Sequence, residues 1–174
     1  MKILHVNFSD NKGGASISVM RLHKHLLSIG VDSSMLVSQK RSVDPRVFAV
    51  ASTLLGRFLV KVNEFLEARV ARYVARDESV FLSLARYSQF KNSTLKQITK
   101  ADVVALYWVN GAFMSPEDIK RIKQPLIWRL SDVWPFTGGC HYDQDCGLYR
   151  SKCGNCKILK SSIEKSQKGI KNNY

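Results

Sequence analysis

The residue types most able to do chemistry gather near the end of the chain. The protein's four cysteines stand at 140, 146, 153 and 156, with His141 beside the first. In the spacing C-x5-C-x6-C-x2-C, four thiolates can surround one tetrahedral Zn²⁺. Cys153-Gly154-Asn155-Cys156 has the form of a metal knuckle, Cys140 and Cys146 are more loosely spaced, and His141 can replace one thiolate. Disulfides and unligated thiols are the alternatives. A closed site leaves no position for a substrate, so a bonded role is structural: it pins a loop that no periodic core would hold. Just before the first cysteine runs Asp132-Val133-Trp134-Pro135-Phe136-Thr137-Gly138-Gly139, continuing to Cys140-His141-Tyr142. A carboxylate at a strand end, followed by aromatics and glycines, suits a polar ligand such as a sugar. Aromatic faces cover C–H surface while the carboxylate accepts hydroxyl hydrogen bonds. Alone, such an aspartate reads as a turn or cap residue. Near the other end, Gly13-Gly14 follows an apolar run and precedes a helical period. Glycines there allow backbone N–H groups to approach a phosphate, and a helix N-terminus favours an anion. The spacing is neither a Walker loop nor a complete G-x-G-x-x-G, so a plain tight turn is the competing reading.

The elements that must position these groups are legible from periodicity. Residues 2–8 are mostly apolar and read as a buried strand. A helix starts at Ala15, with Ile17, Met20, Leu22, Leu26, Leu27 and Ile29 largely on one face, and Gly30 caps it. Residues 34–37, 102–109 and 126–130 read as further strands, and 93–99 as a short helix. Ser115-Pro116-Glu117-Asp118 is a helix start with a hydroxyl cap and an acid three residues on. Strand, glycine turn, helix, strand is the opening of a parallel α/β sheet. The longest periodic segment, 54–75, carries a wide apolar stripe of Leu55, Phe58, Leu59, Val62, Phe65, Leu66, Ala68, Val70 and Tyr73. Arg57, Lys61, Arg69, Arg72 and Arg76 lie mostly off it. One reading packs this stripe on the core and leaves the cations solvated; the other lays it on an anionic membrane surface. The pattern divides the chain into a domain over 1–131, a Cys-rich loop over 132–156 belonging to it, and a basic segment over 157–174 with a helix from Ile158.

Composition bounds the answer. The chain has 174 residues, 45% of them hydrophobic, enough for one domain with a core and against wholesale disorder. No apolar run reaches the roughly 18 residues that span a bilayer. The N-terminus lacks the long apolar core of a signal peptide, which points to the cytoplasm, with the inner face of the membrane as a peripheral position there, and in that compartment clustered cysteines suggest metal before disulfides. The net charge of +13 favours polyanions: nucleic acid, anionic lipid or nucleotide phosphates. A zinc-knuckle module binding nucleic acid is therefore one reading. Against it, Arg150 and Lys152 in the cysteine loop are offset by Asp143 and Asp145, and the aromatics lie mainly in buried-looking strands.

The opening Met1-Lys2-Ile3-Leu4-His5-Val6-Asn7, with Gly13-Gly14-Ala15, resembles the start of glycosyltransferase family 4. The run from Trp128 through Asp132, Trp134, Gly138 and Gly139 to Cys140, Cys146, Tyr149, Cys153 and Cys156 looks like that family's cysteine-bearing branch in capsule, exopolysaccharide and colanic-acid-type assembly. Many members carry histidine where this chain has Ser131. The resemblance covers residues 1 to about 160. It implies a Rossmann-like parallel sheet with flanking helices, the N-terminal half of a retaining GT-B enzyme, followed by an irregular Cys-rich loop. It implies transfer of a sugar from a nucleotide-diphosphate sugar to a glycan or lipid-linked acceptor. Gly13 and Gly14 would approach the donor diphosphate, and Asp132 and His141 would contact or deprotonate acceptor hydroxyls. Cys140, Cys146, Cys153 and Cys156 would shape the loop. Most of the donor contacts would come from a C-terminal domain, whose spaced glutamates this sequence does not contain, so the chain is expected to be inactive alone.

Overall fold

The computed structural model of the protein describes residues 1–151, 153 and 156–160. Lys152, Gly154, Asn155 and the segment 161–174 lie outside the described residues, and with them most of the expected basic segment and the centre of the knuckle. The fold is α/β. Five strands form one sheet in the order β3-β2-β1-β4-β5, every pairing parallel. They are β1 (Lys2–Ser9), β2 (Asp32–Gln39), β3 (Val47–Ala49), β4 (Val103–Leu106) and β5 (Leu126–Trp128). Helices α1 (Gly14–Ser28), α2 (Leu54–Val74), α3 (Asn92–Ile98) and α4 (Pro116–Lys120) lie between them. Strand β1 is central, and the chain direction across the sheet reverses between β1 and β4. This reversal is the switch point at which open α/β sheets bind ligands.

Alternation along β1 separates two interiors. Leu4 and Val6 join Leu36, Val104, Leu106, Ile98 and Phe113 in one apolar layer. On the opposite face, His5 and Asn7 point toward α1, among Val19, Met35, Val37, Ala105 and Tyr107. That second layer is partly polar, which changes the expected seam of α1. Its buried residues are Ser16, Val19 and His23, at i, i+3 and i+7, whereas Ile17, Leu22 and Ile29 are exposed. The small and imidazole side chains are drawn in because they meet Asn7 and Ser33.

Strand β3 was not expected from the sequence. Three residues carry too little period to register, and pairing with Met35, Leu36 and Val37 creates the strand. The chain returns from β2 through residues 40–46 without a helix. The Asp10 carboxylate clamps this loop, accepting from Arg41 N–H at 2.9 Å and Ser42 N–H at 2.7 Å.

The core-facing reading of 54–75 is corrected. The helix exists as expected, capped by Thr53, but its buried residues are Val60, Glu67 and Ala71. Leu54, Leu55, Phe58, Leu59, Phe65 and Tyr73 are all exposed. The side turned inward is that of Val60, Glu67 and Ala71, and a cavity between the first turns of α2 and the sheet edge is lined by Arg57, Val60 and Lys61. The end of α2 is seated on an apolar cluster, with Ala71 and Val74 against Leu82, Cys140 and Leu159. Ile158 to Lys160 opens no helix. Leu159 bridges Ala75, and Lys160 N–H donates to Val74 O at 3.0 Å.

Candidate functional site

At the carboxyl end of β1 the chain turns through Asp10–Lys12 into Gly13, which stands at φ 87°, ψ 164°. That conformation is essentially reserved for glycine. The next residue, Gly14, opens α1, and no side chain caps the helix. A Cβ placed on either glycine would meet nothing within 4 Å. The turn therefore has open space beside it, as approach of an anion requires.

Asn7 holds the turn against the neighbouring loop. Its Nδ2 donates to Ser9 O and to Ser16 Oγ at 3.0 Å, while its Oδ1 accepts from Trp108 N–H at 3.1 Å. One buried amide thus couples the glycine turn to the loop after β4 across the switch point. The sequence held a signal for it that the strand reading passed over, a carboxamide within an apolar strand.

From Trp108 an aromatic wall runs outward. Its ring meets Phe8 edge-on at 5.2 Å and lies 5.9 Å from the His141 ring, which stacks on Phe81 at 4.0 Å. This wall joins the two ends of the sequence that carried the candidate groups. Asp132 and His141 meet: His141 Nδ1 lies 2.6 Å from Asp132 Oδ2, and His141 Nε2 lies 2.8 Å from Ser83 Oγ. Because a carboxylate can only accept, Nδ1 carries the proton and Nε2 accepts from the Ser83 hydroxyl. Burial holds the imidazole below its ordinary pKa, with Asp132 opposing that shift, so the ring is neutral near pH 7. The remaining Asp132 oxygen accepts from Trp134 N–H at 3.1 Å, and Trp134 Nε1 donates to Ser83 O at 2.9 Å.

Ser83–His141–Asp132 is thus a closed chain, with His141 and Ser83 both buried. Both ring nitrogens are engaged within the protein. As it stands, the imidazole orients Asp132 and braces the aromatic wall, and direct contact with a ligand hydroxyl would require one of these bonds to open. Ser83 could not be found from the sequence. It lies in an irregular stretch held by Glu67 of α2, whose carboxylate accepts from Leu84 N–H at 2.7 Å and Ala85 N–H at 2.8 Å.

The cysteine loop packs behind this wall. All four cysteines are half-buried thiols. The Cys140 thiol is pushed far up, first by a hydrogen bond with Cys156, then by burial and by the adjoining Cys156, Cys153 and Cys146. Cys140 and Cys156 are therefore direct neighbours, two of the four thiols a zinc ion would need. Among the described residues, however, no group of three or more His, Cys, Asp or Glu is arranged to hold a metal.

Beside the crevice, at the ends of β2 and β3, opens the cavity of about 950 Å³ under α2. Lys12, Lys40, Arg41, Arg57 and Lys61 line it with Ser42, Ser52, Ser93 and Thr94, and no carboxylate does. No protein-family model, curated protein or solved structure significantly matches the chain.

Proposed function

We propose that this chain is the acceptor-side domain of a retaining glycosyltransferase, acting in transfer from a nucleotide-diphosphate sugar to a glycan or lipid-linked acceptor. The observation that carries the proposal is a juxtaposition at the switch point. The open turn of Gly13 and Gly14 and the aromatic wall of Trp108, Phe81 and His141 with Asp132 adjoin across the carboxyl ends of β1 and β4. The turn supplies N–H groups suited to a diphosphate, and the wall supplies apolar faces and a carboxylate suited to a sugar. The glycine turn and the aromatic residues form one wall. Stabilisation of a leaving diphosphate needs donors on its far side as well, so a donor-side domain completes the reaction and this chain alone is inactive. In this reading Cys140, Cys146, Cys153 and Cys156 hold a structural zinc that fixes the loop bearing His141, and the metal takes no part in transfer.

Backbone amide spectra recorded while nucleoside diphosphates and nucleotide sugars are added test the reading. The expected result is millimolar binding, with shifts at Gly13, Gly14 and Trp108 and no release of nucleoside diphosphate. Shifts confined to other regions, or turnover by this chain alone, would overturn it.

A further inference from the structure

The exposed face of α2 demands a physical account. Leu54 is 85% exposed, Leu55 69%, Phe58 62%, Phe65 58% and Tyr73 71%. Leu54, Phe58 and Phe65 recur at i, i+4 and i+11, so they share one side of the helix, and Leu55, Leu59 and Tyr73 widen it. A contiguous apolar face of this kind marks an interaction surface. Its margins are cationic: Arg57 and Lys61 lie along one edge and reach the cavity, and Arg69 and Arg72 stand near the C-terminal end. The cavity adds Lys12, Lys40 and Arg41, so apolar face and cations open on the same part of the molecule.

We propose that α2 docks this protein on an anionic bilayer. The apolar face enters the acyl boundary, and Arg57, Lys61 and the cations of the cavity meet lipid phosphates. Charge complementarity selects this occupant. A second copy laid on the same face would bring Arg57, Lys61, Arg69 and Arg72 of both chains together, and like charges at an interface oppose association. An anionic leaflet attracts each of them. No helix of the described residues is long and apolar enough to cross a membrane, and α2, with an apolar face and a cationic margin, has the pattern of a helix that lies in the interface plane. The proposal is independent of the transfer reaction, since it uses neither the glycine turn nor the aromatic wall.

Co-sedimentation of the full chain with vesicles tests it. Vesicles of phosphatidylglycerol and phosphatidylcholine in equal parts are compared with pure phosphatidylcholine, at low and high salt. Two variants enter the same assay, Phe58→Ser/Phe65→Ser and Arg57→Glu/Lys61→Glu. All four side chains are exposed, so both variants should fold, which circular dichroism checks. The expected result is binding about tenfold tighter to the anionic vesicles, weakened by salt and reduced about tenfold in each variant. Absence of binding, equal binding to both vesicle types, or binding retained by both variants overturns the proposal. So does a concentration-dependent dimer that Phe58→Ser/Phe65→Ser dissociates, because the face would then be covered by a second copy.

Discussion

His5 is fully buried, with Nδ1 2.9 Å from the Tyr107 hydroxyl and Nε2 3.1 Å from Ser33 Oγ. Burial, and secondarily His23, lowers its pKa to about 4. His23 reaches the same Ser33 hydroxyl at 2.7 Å, and burial lowers its pKa too, against the pull of Asp44. Both histidines therefore stay neutral in the fold while unfolded chains protonate near pH 6.5. The unfolded state binds more protons between these values, so stability is full above about pH 6.5 and falls as pH drops toward 4. For His5 alone the loss between pH 7 and pH 5 is about 2 kcal/mol, and His23 adds to it. Urea denaturation across that range checks this, and a midpoint flat from pH 7 to 5 would contradict the buried neutral pair. His141 presents a different case, since its ring joins the Ser83 hydroxyl to one oxygen of Asp132. His141→Ala strands the Ser83 hydroxyl and an Asp132 oxygen beside a cavity, and should cost about 3 kcal/mol. A loss below about 0.5 kcal/mol would show that the chain from Ser83 to Asp132 is no brace.

At the scale of elements, the two glycines of the first turn separate fold from function. Gly13 holds a backbone that other residues adopt only under strain, so Gly13→Ala should destabilise by about 1–3 kcal/mol. Gly14 has no positive φ, begins a helix and has room for a methyl group. Gly14→Ala should leave stability unchanged or raise it by about 0.5–1 kcal/mol, while weakening nucleoside diphosphate binding by covering the open N–H groups. Thermal melts and titration of the two variants side by side read both effects. Equal diphosphate affinity in Gly14→Ala and the parent would place the anion elsewhere, the cationic cavity under α2 being the obvious position. Glu67 links α2 to the irregular stretch carrying Ser83. Replacing it with alanine leaves the Leu84 and Ala85 N–H groups without their acceptor and should cost about 2 kcal/mol, measured by the same denaturation.

Over the whole molecule, the Cys loop acts as a strap. It pairs Cys140 with Leu82, closes Leu159 on Ala75 and packs Cys140 and Cys156 against the end of α2. A zinc held by four thiolates would lock this strap to the sheet domain. Elemental analysis of reduced protein should find about one zinc per chain, and chelation should lower the melting temperature and release the Arg76 N–H bond to Ile158 O to hydrogen exchange. Metal-free protein that melts at the same temperature with and without chelator, and with all four thiols titratable, would leave the strap to packing alone.

Much of the architecture was written locally. The apolar run at 2–8, the glycine turn, the helix caps at Gly30 and Ser115 and the strand runs before 109 and 130 each carry their own period or stop signal, because strand and helix geometry fix which neighbours share a face. The candidate residues were legible by type: a carboxylate after a strand, paired glycines and spaced thiols. What they do to one another was not. That His141 spends both ring nitrogens on Asp132 and Ser83, that Asn7 ties the glycine turn to Trp108, and that β3 exists at all depend on residues far apart in the chain. The same holds for α2. Its period fixes one apolar side, but a helix with apolar residues over much of its circumference can bury more than one arc. Only the packed molecule, with Val60 and Ala71 turned inward and Glu67 drawn in to hold a loop, decides that Leu54, Phe58 and Phe65 face outward.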